Sequence, residues 1–324
     1  MVLCAGLGTR LGVLSDERPK PLLPVCDIPV VRYVLAWLAG SGVTEACINL
    51  HHRGEDLVAE LGERAFGLAL RYSPEPVLLG TGGGLERQAD WLTRGGAAAF
   101  VVANGKLILD ADLAALSALE PAAVAAMVLR EVPDPERWGA VETEAGRVLR
   151  INGRGAPGAA GRTGMFTGVH RFGPALRARL PPAHDSHVIT AAYQPALEAG
   201  ERVAALFYPG YFAEHSTPRR YLEGNFALLR GAASLRFPPG PLTGVDPTAE
   251  VHPGAILLPP YRIGAGARVG AGARVGPDAV VGRGATVESG AELREAVAWP
   301  GTRVRGPVGQ AIVTAAGVVA VAPA

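Results

Sequence analysis

The residues best suited to chemistry lie close to the start of the chain. A short apolar run, Met1 to Cys4, leads into Gly6-Leu7-Gly8-Thr9-Arg10, and Arg18-Pro19-Lys20-Pro21-Leu22 follows. Glycines directly after a first strand leave backbone N–H groups free to close around a phosphate, and cations just beyond them add charge. Of the 31 basic residues only Lys20 and Lys106 are lysine, so these positions point to a need for a compact ammonium rather than a planar guanidinium. Two familiar phosphate loops do not fit. A dinucleotide fingerprint wants glycine where Leu11 stands, and no Gly-Lys-Ser/Thr ending is present.

Elements that could hold such a loop alternate along the first 230 or so residues. Short aliphatic runs predict strands at Met1 to Cys4, Ala46 to Asn49, Phe100 to Ala103, Ala123 to Leu129 and Val203 to Tyr208. Helical spacing predicts helices at Pro29 to Ala39, Gly54 to Leu61, Leu85 to Leu92 and Pro218 to Arg230. Strand and helix in alternation imply an α/β fold with a mostly parallel sheet covered on both faces. Further on, Val251, Leu257, Ile263, Val269, Val275, Val281, Val287 and Leu293 recur every six residues among Gly, Ala and Pro. One inward aliphatic per short strand is similar to the hexapeptide repeats of left-handed parallel β-helices. Such a short stack needs a cap or a partner, and the apolar tail from Val308 to Ala324 could serve. The expected domains are therefore 1–235, a Pro/Gly linker 236–247, and a β-helix with tail at 248–324.

Composition narrows the function classes. With 324 residues, 48% hydrophobic and 19% charged, the chain is long enough for about two globular domains. A formal charge of +1 argues against a nucleic-acid binder, which needs a basic excess. The longest weakly polar stretch, Ala311 to Ala324, is shorter than the roughly 18 residues of a membrane span, and no basic segment precedes an apolar run as in a signal peptide. Cys4, Cys26 and Cys47 are too few for a disulfide framework, which suggests a reducing, cytoplasmic setting.

The ordered motifs resemble those of the sugar-1-phosphate nucleotidyltransferases. The resemblance rests on the Gly6 to Arg10 loop with Pro19-Lys20-Pro21-Leu22, then Leu79-Gly80-Thr81-Gly82-Gly83-Gly84, Asn104-Gly105, Asp134-Pro135 with Trp138-Gly139-Ala140-Val141, Gly168, and Thr217-Pro218 with Tyr221-Leu222. The Gly80 segment looks most like N-acetylmuramate-1-phosphate uridylyltransferases, and the repeat tail is similar to that of mannose-1-phosphate guanylyltransferases. The resemblance implies a Rossmann-like domain in which a sugar phosphate oxygen attacks the α-phosphate of a nucleoside triphosphate, releasing pyrophosphate and an NDP-sugar, with Mg2+ assisting. It casts Arg10 and Lys20 as catalytic. Leu3, Ala5, Gly6, Gly8, Thr9, Leu79, Thr81, Gly82 and Asn104 would bind the nucleotide, and Gly139, Thr167 and Gly168 would line the sugar pocket. A homo-oligomer formed through the β-helix is expected.

Departures from the family pattern centre on the metal. Where the family has Asn-Gly-Asp, this chain has Asn104-Gly105-Lys106, and the second metal-binding aspartate aligns with Glu214. Lysine cannot ligate magnesium, whereas Glu214 could. Lys106 and Glu214 are expected to approach each other, with Asp110 or Asp112 as rival ligands. The family's Glu-Lys-Pro sugar-phosphate segment is also missing, leaving Arg154 or Arg162 as replacements for its lysine. Two readings follow: an active nucleotidyltransferase, or a weakened relative that binds a nucleotide or nucleotide-sugar as a regulatory or structural subunit.

Overall fold

The computed structural model describes residues 1–94, 98–182 and 185–322. Its chain divides into two compact units, each made of segments distant in sequence. Unit 1 holds Met1–Gly6, Leu38–Gly105 and Ala111–Gly210; unit 2 holds Leu7–Trp37, Lys106–Asp110 and Tyr211–Ala324.

Unit 1 is built on a mixed sheet, parallel at its centre. The strand Val2–Leu3 lies between Glu45–Leu50 and Phe100–Asn104, parallel to both, with Leu3 in register with Asn49 and Asn104. Each centre strand is apolar because both faces are covered: Val2, Ile48 and Val102 have no exposed surface. Antiparallel strands widen the sheet, chiefly Arg162–Phe172, which pairs with both Phe100–Asn104 and Ala125–Arg130. Alternation alone did not anticipate that long strand or the hairpin Ala140–Glu144 with Arg147–Ile151. The helix expected at Leu85 begins earlier, at Gly80, and gives way to a second short helix at Ala89–Leu92. Glycine disfavours helices by about 1 kcal/mol relative to alanine, but packing decides here. A Cβ on Gly82 would meet Ser186 Oγ at 2.4 Å, and one on Gly84 would meet Glu75 Oε1 at 2.9 Å.

Unit 2 contains a short parallel β-helix. Its strands pair with strands eighteen residues on: Glu250↔Arg268, Ile256↔Arg274, Tyr261↔Ala279 and Arg268↔Thr286. Ile263, Val269, Val275, Val281, Val287 and Leu293 are buried in its interior, whereas Val251 and Leu257, in the first coil, are only half-buried. Gly244–Val245, inside the expected linker, already pairs with Tyr261–Ile263. The tail forms a hairpin, Pro307–Thr314 with Gly317–Ala320, whose first strand extends the sheet beside Glu292–Ala298. Pro323 and Ala324, the end of the expected apolar tail, lie outside the described residues.

The glycine-loop segment belongs to the same unit, and one apolar cluster joins Leu11, Leu14, Leu23 and Val30 to Tyr221, Trp299 and Ile312. Two polar contacts reinforce it. The Glu17 carboxylate accepts the N–H groups of Ala315 and Ala316 at the hairpin turn, at 3.1 and 2.7 Å. The Arg18 guanidinium stacks over Trp299, whose Nε1–H donates to Tyr221 Oη at 3.0 Å.

Candidate functional site

In unit 2, Leu7 and Thr9 to Arg10 face solvent, while Leu11 and Leu14 are buried and tether the segment. Gly8 and Gly12 have φ of +70° and +56°, a left-handed geometry that glycine adopts without strain. Lys20 opens a tight turn, Lys20–Leu22, and is buried. Opposite it the strand Phe212–Glu214 pairs antiparallel with Leu107–Leu109, Glu214 facing Leu107, which leaves Lys106 just beyond the ladder. The following Thr217 caps the helix Pro218–Leu229 by accepting the Arg220 N–H at 3.2 Å.

This arrangement gathers three cations on one carboxylate oxygen. Glu214 Oε1 lies 2.6 Å from Lys106 Nζ, 3.5 Å from Lys20 Nζ and 3.8 Å from Arg10 Nη2. Burial disfavours ionisation of Glu214, but Lys106, then Lys20 and Arg10, outweigh it and hold the carboxyl below its usual range. Burial, followed by the charge on Lys106, pulls the Lys20 ammonium down to about 7. His215 is also buried and stays neutral, lowered to about 4 mainly by burial and then by Lys20. A Cβ on Gly224 would strike its ring at 2.3 Å, which accounts for glycine in mid-helix.

Among the described residues the charged groups that meet Glu214 are cations. Magnesium takes compact oxygen ligands at about 2.0–2.1 Å in octahedral geometry. Three cationic nitrogens surround Glu214 instead, and Asp110 is engaged by the Arg236 backbone N–H and by its Nε at 3.2 Å. Asp112, in unit 1, caps the helix Leu113–Ala118 by accepting the Ala115 N–H at 3.0 Å. Among the described residues no group of three or more His, Cys, Asp or Glu could hold a metal ion. These residues do not fit a protein-bound magnesium.

Unit 1 carries the other set of expected residues. At the carboxyl end of the first strand the Cys4 N–H donates to Asn49 Oδ1 at 2.7 Å, and Asn49 Nδ2 donates to Glu75 Oε1 at 2.9 Å. Glu75 Oε2 in turn accepts the Leu79 N–H at 3.2 Å, so one buried carboxylate fixes the start of the Leu79–Gly84 turn. Sequence reasoning missed Asn49 and Glu75; a polar residue ending a buried strand was the available signal. The turn is further held by the segment 185–188. Ser186 donates its N–H to the Leu79 carbonyl and accepts the Gly82 N–H on its own, at 3.0 and 2.7 Å. The Thr81 hydroxyl accepts the Val188 N–H at 2.9 Å. Neither Asp185 nor Ser186 caps the helix that follows, whose cap residue is Val188.

Asn104 and Gly168 are brought together. Gly168 has φ of +86°, and a Cβ there would meet Asn104 Nδ2 at 2.2 Å. Thr167 is buried and donates its hydroxyl to the Val128 carbonyl at 2.8 Å, a structural bond. Gly139, with the same positive φ, faces the Asn152 amide at 3.0 Å from a Cβ position. Arg154 pairs with Glu198 at 2.9 Å, and Arg162 pairs with Glu131 while stacking on Phe207.

Comparison with known proteins agrees with this pattern. A family model described as nucleotidyl transferase matches residues 1–219. Mannose-1-phosphate guanylyltransferase from Mycobacterium tuberculosis is 30% identical over 275 residues, covering 82% of this chain and 75% of that protein. N-acetylmuramate alpha-1-phosphate uridylyltransferase from Neisseria meningitidis is 38% identical over 117 residues, covering 36% of this chain and 49% of that protein. The crystal structure of HddC from Yersinia pseudotuberculosis shares the fold, with a TM-score of 0.58 at 22% identity over 70% of this chain and 97% of that one. With two-thirds of its length matched and an α/β sheet carrying the motifs in order, this chain belongs to the nucleotidyl transferase family.

Proposed function

We propose that the protein transfers a nucleotidyl group from a nucleoside triphosphate to a sugar 1-phosphate. The cluster of Arg10, Lys20 and Lys106 around Glu214 carries the proposal, because these cations match the charge of a phosphate tail. The sugar phosphate oxygen attacks the α-phosphorus, a new P–O bond forms as the α–β bridge breaks, and pyrophosphate leaves with the electron pair. No covalent enzyme intermediate is needed, so catalysis consists of placement and charge stabilisation. Arg10, with its side chain 63% exposed, is free to swing onto the departing phosphates. Lys20, held on a turn and largely buried, is the fixed cation for the reacting phosphate. Leu3, Ala5, Gly6, Gly8 and Thr9 contribute the backbone of the phosphate loop, and the Leu79–Gly82 turn, with Asn104, contributes the nucleoside side. Gly139 and Gly168, each with an asparagine amide packed against it, contribute the sugar side.

The finer features follow the same reading. The eighteen-residue pairing register supports hexapeptide repeats, with three six-residue steps to each coil. The incompletely covered first coil supports self-association through the β-helix. Three free, buried thiols suit a cytoplasmic setting.

Pyrophosphate release across a panel of nucleoside triphosphates and sugar 1-phosphates tests the function. One pair is expected to give pyrophosphate and sugar nucleotide in equal amounts, and Arg10→Ala to lower kcat/KM by about 10²-fold or more, the scale of a lost transition-state contact. Nucleotide binding without release for any pair would leave a binding subunit instead.

A further inference from the structure

We infer that the Lys106 ammonium takes the place of a divalent cation, so that the chain holds the phosphate tail of its nucleotide without metal. This rests on the proposed function and specifies how its anionic substrate is bound.

The geometry carries the inference. Glu214 offers one carboxylate oxygen to three cations, and Lys106 makes the shortest of the three ion pairs, at 2.6 Å. A metal ion bound to Glu214 would have to displace that ammonium and then stand beside Lys20 and Arg10, at 3.5 and 3.8 Å from the same oxygen. Like charges at such spacing repel. Asp110, the nearest carboxylate in sequence to Lys106 within the same unit, is engaged by Arg236.

The ion pair also orders the cluster before ligand arrives. Glu214 neutralises one of the three charges, leaving a formal excess of two on side chains that Glu214 itself positions. Lys106 and Arg10 are the more exposed of the three, at 30% and 63%, while Lys20 is nearly covered. An entering polyphosphate therefore meets preset positive charge at the surface and a fixed ammonium beneath it. A metal ion normally neutralises phosphate charge and templates its oxygens. Two lysines and an arginine supply the first of these roles from the chain itself, and the strand pair Leu107–Leu109 with Phe212–Glu214 sets where Lys106 stands.

Titration calorimetry with inorganic tripolyphosphate tests this without knowledge of the base or sugar. It is carried out on the full chain in EDTA and again in magnesium, with wild type, Lys106→Asp and Lys106→Met. Wild type is expected to bind in EDTA with an affinity equal to or tighter than in magnesium. Lys106→Asp should lose at least tenfold in EDTA and regain it with magnesium, whereas Lys106→Met should lose about tenfold in both. Wild-type binding that appears only with magnesium would overturn the inference and leave nucleotidyl transfer standing. No binding under either condition would overturn both. The wild-type comparison decides the matter even if a variant does not fold.

Discussion

The Lys106 ammonium sits 2.6 Å from Glu214 Oε1; Glu214 ends one short strand, and Lys106 immediately precedes the strand that pairs with it. Because that oxygen also faces Lys20 and Arg10, Glu214 is the counter-ion that lets three positive charges share a small volume.

Glu214→Gln should therefore destabilise the ligand-free protein. Loss of a buried partner typically costs about 3–5 kcal/mol, and the partial exposure of Lys106 brings the expected value to about 1–3 kcal/mol. Sulfate or tripolyphosphate should restore much of the loss by binding the freed cations. Denaturant melts with and without the anion measure it; equal stability of the two proteins would count against the counter-ion role.

Lys20 gives a pH dependence with a definite sign. The folded state holds its ammonium at about 7 against an ordinary value of 10.5, through burial first and Lys106 second. Between these values the unfolded chain binds more protons, so this group makes ligand-free stability rise as pH rises through that window. Anion affinity moves the other way, falling as pH climbs through about 7 and the ammonium is lost. In Lys106→Met the fall should move to higher pH, since a neighbouring positive charge is gone. Tripolyphosphate titrations over pH read the midpoint, and a profile unchanged by the substitution would refute the coupling.

Glu75 accepts from two donors with two different oxygens, Asn49 Nδ2 and the Leu79 N–H. Glu75→Gln keeps the shape but turns an amide N–H₂ toward one of them. Such a buried mismatch costs about 1–3 kcal/mol. Thermal melts should show that loss, and nucleotide affinity should weaken with it as the Leu79–Gly84 turn loosens. A variant as stable as wild type would remove Glu75 from this role.

Gly168→Ala tests the seat of Asn104. Its Cβ would lie 2.2 Å from Asn104 Nδ2 on a backbone with φ of +86°. Strain and displacement together should cost about 1–3 kcal/mol. Catalytic efficiency should fall further in Asn104→Ala than stability does, if the amide meets ligand. Parallel melts and kinetics separate the two effects.

Local signals revealed part of this molecule and long-range packing the rest. The Gly6–Arg10 loop with Lys20 could be read from residue types alone, because phosphate chemistry demands them close together. The six-residue aliphatic period was equally plain, since each short strand buries one side chain. The approach of Lys106 to Glu214 could be inferred from a reversal of charge at one of the two positions where the family carries aspartate, with a carboxylate kept at the other. By contrast, the network from Cys4 through Asn49 to Glu75 spans residues that share no motif. Helix propensity misplaced the start of the Gly80 helix, because Ser186 and Glu75, not local preference, exclude side chains there. Thr167 resembles a ligand contact in sequence, yet its hydroxyl is turned inward to the Val128 carbonyl.

The hold of Glu17 on the amides of Ala315 and Ala316 ties the beginning of the chain to its far end. On the ribosome, the segment carrying the phosphate loop emerges early, but its carboxylate finds those amides only once the hairpin turn has been made. At about 5–20 residues per second that delay is roughly 15–60 s. During synthesis the loop waits without this carboxylate's hold, so a nascent chain stalled before residue 315 carries the whole phosphate motif without its final grip.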